Sequence, residues 1–174
     1  MDGATFKGDA VIPDTVTDIC KYAFEDCTGL TSVKIPDGVY WIYDWAFMGC
    51  TSLKNITVPK SVDFIGDLAF GFYKDEDWNN IMVEGFKIYC YKNTTGERYA
   101  INNGFNYELI KEPGDADGSG NVNMKDYVLF QRHLNSWAVD IDLTVLDLNG
   151  DGKVNMKDLV LLQRYLNGWN VEFA

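Results

Sequence analysis

DADGSGNVNMKD (115–126) and DLNGDGKVNMKD (147–158) are the two stretches on which the reading of this chain turns. Each runs into an apolar-periodic segment, YVLFQRHLNSW (127–137) and LVLLQRYLNGW (159–169). At a fixed offset of 32 residues, 15 of the 23 positions from 115–137 are identical in 147–169. Identity this dense means two copies of one structural unit. In each copy oxygen-bearing side chains alternate along the loop, and a carboxylate closes it at the twelfth place.

That alternation is the ligand pattern of an EF-hand-type calcium loop, where a hard cation collects oxygens from positions 1, 3, 5, 7, 9 and 12. Loop one offers the side chains of Asp115, Asp117, Ser119 and Asp126, the backbone carbonyl of Asn121, and Asn123 directly or through water. Loop two offers Asp147, Asn149, Asp151 and Asp158, the carbonyl of Lys153, and Asn155 in the ninth place. Gly120 and Gly152 stand where the chain must turn sharply. Val122 and Val154, at the eighth place, are expected to pair the loops through a short β-like contact. A polar turn that binds nothing uses the same residue types, but two in register, each with its own helix, favour two bound Ca2+ ions. Val128, Leu129 and Leu134, with Val160, Leu161 and Leu166, have the spacing of buried helix stripes. Trp137 and Trp169 are expected to close the core, and residues 139–146 to form a short middle helix or turn. A unit of about 60 residues buries little apolar surface, so the metal-free unit is expected to be loose or unfolded.

Both loops end in Asp rather than Glu, and Lys111-Glu112-Pro113-Gly114 before loop one argues against a preceding helix. The units are therefore loop-then-helix, and this segment resembles a type I-like dockerin, the duplicated calcium module that anchors subunits of bacterial cellulosomes to cohesin domains. The resemblance implies a cohesin domain of a scaffoldin as partner. It places the contacts at Met124, Lys125, Gln131 and Arg132 and, in the second copy, at Met156, Lys157, Gln163 and Arg164. Met-Lys departs from the Ser-Thr pair frequent at the first of these sites, which leaves the cohesin class open. Read without the resemblance, the four cations are an ordinary solvated helix face. Matching faces imply that the module can dock in two orientations.

Upstream lies a second repeat, of period 23: AVIPDTVTDICKYAFEDCTGL (10–30), VKIPDGVYWIYDWAFMGCTSL (33–53) and ITVPKSVDFIGDLAF (56–70). Ile12-Pro13, Ile35-Pro36 and Val58-Pro59 align, as do Val16, Val39 and Val62, and Ile19, Ile42 and Ile65. Ala23-Phe24, Ala46-Phe47 and Ala69-Phe70 follow, with Cys27 over Cys50. A period in the low twenties signals a solenoid, here with strands at 31–35 and 55–58 and phenylalanines stacked inside. The pattern is similar to the BspA-like, or treponemal, class of leucine-rich repeats. After Phe70, GFYKDEDWNN (71–80) departs from the repeat. Residues 86–110 then read as a closing unit: a strand alternating at Phe86, Ile88 and Cys90, a short helix opened by a Thr94/Glu97 capping box, and a last strand at 106–110.

The expected fold is thus multidomain: a short β-rich leucine-rich-repeat solenoid (1–110), a linker (111–114) and a small all-α calcium-binding dockerin with two loop-helix units (115–174). The 174 residues are 47% hydrophobic with a net charge of −11 and a pI of about 4.4. Nucleic acid and anionic membrane are therefore poor partners. No apolar run reaches the length of a membrane span, and no signal peptide is visible. The opening Met1-Asp2-Gly3 reads as the start of an excised fragment. Four cysteines invite disulfides, but Cys27 and Cys50 share one repeat position and read as core packing, with Cys20 and Cys90 outside that ladder. No CxxC pair suggests zinc.

No nucleophile or phosphate-binding pattern appears, the one histidine (His133) sits on a dockerin-like helix, and Asp75-Glu76-Asp77 reads as solvated loop charge, so no enzyme is expected. The leading expectation is a secreted, extracellular, non-catalytic subunit of a cell-surface cellulosome of an anaerobic bacterium, its repeats displaying a protein-interaction or adhesion surface. The alternative is a solenoid that binds plant cell-wall polysaccharide, from the cluster Tyr40, Trp41, Tyr43 and Trp45. A calcium sensor is disfavoured by the missing first helices. Which protein or polysaccharide the repeats take is not written in the sequence.

Overall fold

Short β-branched runs broken by proline turns fold each 23-residue unit back on itself. In the computed structural model, which describes residues 7–174, the chain splits into two compact units at Ile110/Lys111. The Met1-Asp2-Gly3 opening lies outside the described residues.

The first unit is a β-solenoid of about four turns. Strand β1 (Lys7–Val11) lies parallel to β3 (Gly29–Lys34) along one side. The two-residue strands β2 (Asp18–Ile19), β4 (Trp41–Ile42) and β6 (Phe64–Ile65) form a parallel ladder in that order on another side. Strand β5 (Asn55–Thr57) pairs with β9 (Lys87–Cys90), which pairs with β10 (Asn106–Leu109), again in parallel. Successive coils wind the same way, so equivalent residues stack. Phe24 N–H donates to Ala46 O at 2.7 Å, and Phe47 N–H to Ala69 O at 2.7 Å. The Phe24 and Phe47 rings stack 4.8 Å apart and nearly parallel. Val39, Ile42, Ala46, Phe47, Ala69 and Phe70 are completely buried.

The departure after Phe70 is an antiparallel hairpin of β7 (Phe72–Lys74) and β8 (Asn80–Met82). Asp75, Glu76 and Asp77 lie in its surface turn, as expected of solvated loop charge, and Asp75 also ties that turn together. Asp75 Oδ1 accepts the Asp77 and Asn79 N–H groups at 3.0 and 2.8 Å, and Oδ2 accepts Asn79 Nδ2. Those hydrogen bonds, led by Asn79, hold its carboxyl below the usual range.

Helix α1 (Thr95–Asn103) ends at Gly104 as a left-handed cap and covers the last coils. The expected capping box does not form. Thr94 Oγ1 turns to donate to Tyr91 O at 2.6 Å, and Glu97 accepts from Asn93 N–H instead of from the cap residue. The Tyr99 ring of this helix packs tilted against that of Phe70, with centroids 4.5 Å apart. Its hydroxyl donates to Phe70 O at 3.2 Å and lies 3.4 Å from Phe70 N–H. Tyr99→Phe strips that buried backbone of its partner and is expected to cost about 1–3 kcal/mol, read as a lowered thermal midpoint of this unit alone.

The described cysteines are free thiols: Cys20 exposed, Cys27 half-buried, Cys50 and Cys90 buried. Cys50 Sγ donates to Phe24 O at 3.1 Å, and burial pushes its thiol up to about 12. Cys27, Cys50 and Cys90 are packing residues.

The second unit holds α2 (Met124–Leu134), a 3-10 turn at Leu143–Val145, and α3 (Met156–Leu166). Its core is Ala116, Phe130, Val145, Leu146, Leu148, Leu159 and Leu162, with Leu134, Leu161 and Leu166 packed at the margin. Three expectations change here. Val128 and Val160 are exposed, because each short helix buries only one side, through Phe130 on α2 and Leu159 and Leu162 on α3. Trp137 and Trp169 are 63% and 61% exposed and do not close the core. Val122 and Val154 make no β pairing; both pack half-buried on the core. Lys111 fastens to this unit through Asp142, 2.8 Å away, and holds that carboxyl down at about 2. Among the described residues no helix is long and apolar enough to cross a membrane.

Candidate metal centre and the helix faces beside it

Each loop is shaped by its own acidic side chains before any ion is considered. In loop one Asp115 Oδ1 accepts Ser119 N–H at 2.9 Å, and Oδ2 accepts Gly120 N–H at 2.7 Å. Asp117 Oδ1 accepts Ser119 N–H at 3.0 Å. Asp126 reaches back from α2, taking Asp117 N–H at 3.1 Å and Asn123 N–H at 2.9 Å.

Loop two repeats the web nearly bond for bond. Asp147 accepts from the N–H groups of Asp151 and Gly152, and Asn149 Oδ1 from Asp151 N–H at 2.8 Å. Asp158 takes Leu148, Asn149 and Asn155 N–H. The glycines at the sixth place have φ of +91° at Gly120 and +79° at Gly152, which is why glycine stands there.

Asn123 and Asn155 join loop to helix. Each accepts the N–H two residues on, and each is answered by the Asp at the third helical position, completing a capping box at both helices. Asn123→Ala or Asn155→Ala is therefore expected to cost about 1 kcal/mol of helix stability, seen as a lower melting point of the second unit in saturating calcium.

Asp115, Asp117 and Asp126 bring carboxylate oxygens within 4.8 Å of one another. Asp115 is 6% exposed and Asp126 fully buried. Burial, then the charges of Asp117 and Asp115 against the opposing backbone hydrogen bonds, leaves the Asp126 carboxyl above its ordinary range. Lys125 Nζ, 2.6 Å from Asp117, holds that carboxyl well below the usual range, but among the described residues no ion pair reaches Asp115 or Asp126. Converging buried carboxylates repel unless a cation lies among them. The donors are all hard oxygens, with backbone carbonyls at hand, and fit calcium. In loop two the matching trio is Asp147, Asn149 and Asp158, with Asp151 adding its charge beside Lys157 Nζ at 3.6 Å.

The eight residues expected to meet a partner all reach solvent: Met124, Lys125, Gln131 and Arg132 on α2, and Met156, Lys157, Gln163 and Arg164 on α3. Met124 and Met156 are 61% and 62% exposed. The sequence reading missed that Val128 and Val160 lie four residues along the same faces. It also missed that Trp137 and Trp169 sit beside Arg132 and Arg164. The signal was their equal place in both copies.

A family model for the BspA type leucine rich repeat region, in six copies, matches residues 7–107. One for the dockerin type I domain matches residues 113–167. Among solved structures, the chain is similar to a type I cohesin–dockerin complex from Clostridium thermocellum, at 41% identity and a TM-score of 0.33 over 33% of this chain and 94% of that one. It is also similar to a leucine-rich repeat protein from Bacteroides ovatus, at 34% identity and a TM-score of 0.30 over 36% of this chain and 22% of that one. No curated protein matches.

Proposed function

We propose, for a chain that belongs to the BspA-type leucine rich repeat family and carries a type I dockerin domain behind its repeats, that it is a docked, non-catalytic subunit. Residues 115–174 bind a cohesin of a scaffoldin in calcium, and residues 1–110, joined through 111–114, display an interaction surface at the outside of a cell. Both module types are non-catalytic, and type I dockerins bind calcium.

One observation carries the reading: two loops with the same hydrogen-bond web feed two helices whose equivalent outer residues are all exposed. Asp115, Asp117, Ser119 and Asp126, with the Asn121 carbonyl and Asn123, would hold one ion. Asp147, Asn149, Asp151 and Asp158, with the Lys153 carbonyl and Asn155, would hold the second. Bound calcium supplies the positive charge that lets these carboxylates converge. The chain's own residues do the rest: Asn123 and Asn155 start the helices, and the helices present Met124-Lys125 with Gln131-Arg132 and Met156-Lys157 with Gln163-Arg164. Immobilised type I cohesins should capture the chain in millimolar calcium and release it in chelator. A calcium-loaded chain that no cohesin in a broad panel captures would sink the reading.

A second reading of the repeats, polysaccharide binding, has its own support. Trp41, Tyr43 and Phe64 form an exposed aromatic cluster on the outer side of the β2–β4–β6 ladder, with ring centroids 6.3 and 6.2 Å apart. Aromatic faces of this kind stack on sugar rings. Retention of the chain on insoluble cellulose or xylan, abolished by Trp41→Ala, would favour it, and no retention would reject it.

A further inference from the structure

Arg132 and Arg164 stand out in a chain of net charge −11. Among the described residues neither forms an ion pair, although Lys111, Lys125 and Lys157 of the same unit each do. Each arginine lies instead over an indole: the guanidinium carbon of Arg132 is 5.7 Å from the Trp137 ring centroid, and that of Arg164 is 5.6 Å from Trp169. Both indoles are more than half exposed.

The backbone builds this pairing. After α2 and α3 the chain turns left-handed at Ser136 (φ 61°) and Gly168 (φ 75°). Ser136 N–H donates to His133 O and Trp137 N–H to Arg132 O; Gly168 and Trp169 do the same to Tyr165 and Arg164. These are the paired bonds of a Schellman helix end, which brings the residue after the turn back onto the last helical turn. The turn needs only the tryptophan's backbone. An apolar residue at this place commonly packs on the last helical turn, but both copies put a large indole there and leave it more than half exposed.

We infer that Arg132–Trp137 and Arg164–Trp169 are two copies of a preset clamp for a carboxylate on the surface of the docking partner. This rests on the docking reading above. The cation–π contact with the indole holds the guanidinium in place, and with no ion pair to it among the described residues its N–H groups are available for the two-point grip that a carboxylate accepts. Fixing the long side chain beforehand reduces the ordering lost on binding. Met124 and Val128, or Met156 and Val160, precede the arginine at four-residue steps along the helix and supply apolar contact beside it. The partner face that fits is an aliphatic patch edged by Asp or Glu. The tryptophans act through the arginines, as positioning residues.

The test is calorimetry of the full, calcium-loaded chain against a type I cohesin that captures it. W137A/W169A and R132K/R164K are each expected to weaken binding by about tenfold or more, with calcium uptake and far-UV spectrum unchanged. W137F/W169F should recover most of the affinity, because a ring face is restored. Combining the Trp→Ala and Arg→Lys pairs should weaken binding no further than the arginine pair alone, since they act as one contact. Binding by W137A/W169A within about twofold of wild type, or losses that simply add, overturns the clamp and leaves docking standing. A wild-type chain that no cohesin captures overturns both.

Discussion

Excess chelator is expected to abolish most of the helical signal from residues 124–134 and 156–166 while the repeat unit keeps its β-sheet signal. The second unit has few fully buried side chains, and three of its buried residues are carboxylates, Asp115, Asp126 and Asp158. Its two helices are 11 residues each, shorter than isolated helices that persist in water. Both start from loops whose shape depends on converging acids. An ion present at 100 times its dissociation constant stabilises the folded state by about 2.7 kcal/mol per site. Two such sites contribute about as much as the whole stability of a small domain. Circular dichroism at 222 nm, with hydrogen exchange to locate the loss, reads the result. Asp126→Ala and Asp158→Ala should each reproduce part of it, by removing the ligand that ties loop to helix. Helices that survive full chelation would show that apolar packing alone holds this unit.

Phe47→Ala is expected to cost the repeat unit about 3–5 kcal/mol, enough to unfold much of a domain of marginal stability at room temperature. Phe47 is fully buried, stacks on Phe24, and belongs to a middle coil whose N–H donates to the next coil at Ala69. Removing the ring leaves a cavity with a coil on each side, and parallel coils are locked in register, so the site collapses poorly. Val11→Ala, at a residue 79% exposed in β1, should change little. In saturating calcium, denaturant melts should show the repeat transition moving while the helical transition stays. A joint shift of both, or a loss under about 1 kcal/mol, would contradict the stacked-core account.

The two internal repeats made most of this architecture readable. Positions that recur every 23 residues, such as Ile19/Ile42 and Ala46/Ala69, are mostly those that stacking buries, although the equivalent Ala23 in the first coil stays exposed. The loops were readable because their chemistry needs particular residue types at fixed places. What stayed hidden was conformational. Tyr22, Trp45 and Leu68, equivalent in three coils, all adopt left-handed backbone with φ between 51° and 62°. Bulky residues give no sign of that, since glycine is the usual mark.

Val128 and Val160 were misplaced because an apolar residue beside the buried stripe looks the same in sequence as one within it. Only the packing partner of a short helix decides which side is covered. Trp137 and Trp169 misled for a related reason: size argues for burial, whereas the helix-end turn carries both rings onto an arginine. The 94–97 capping pattern had the right residues, but Tyr91 O competed for the Thr94 hydroxyl.

The most direct measurement is calorimetric titration of calcium into the chelator-stripped chain. The account predicts two ions per chain, with helix forming as they bind, and one ion lost in each of Asp126→Ala and Asp158→Ala. Uptake of no calcium, or uptake that leaves the helical signal unchanged and survives both substitutions, would contradict it.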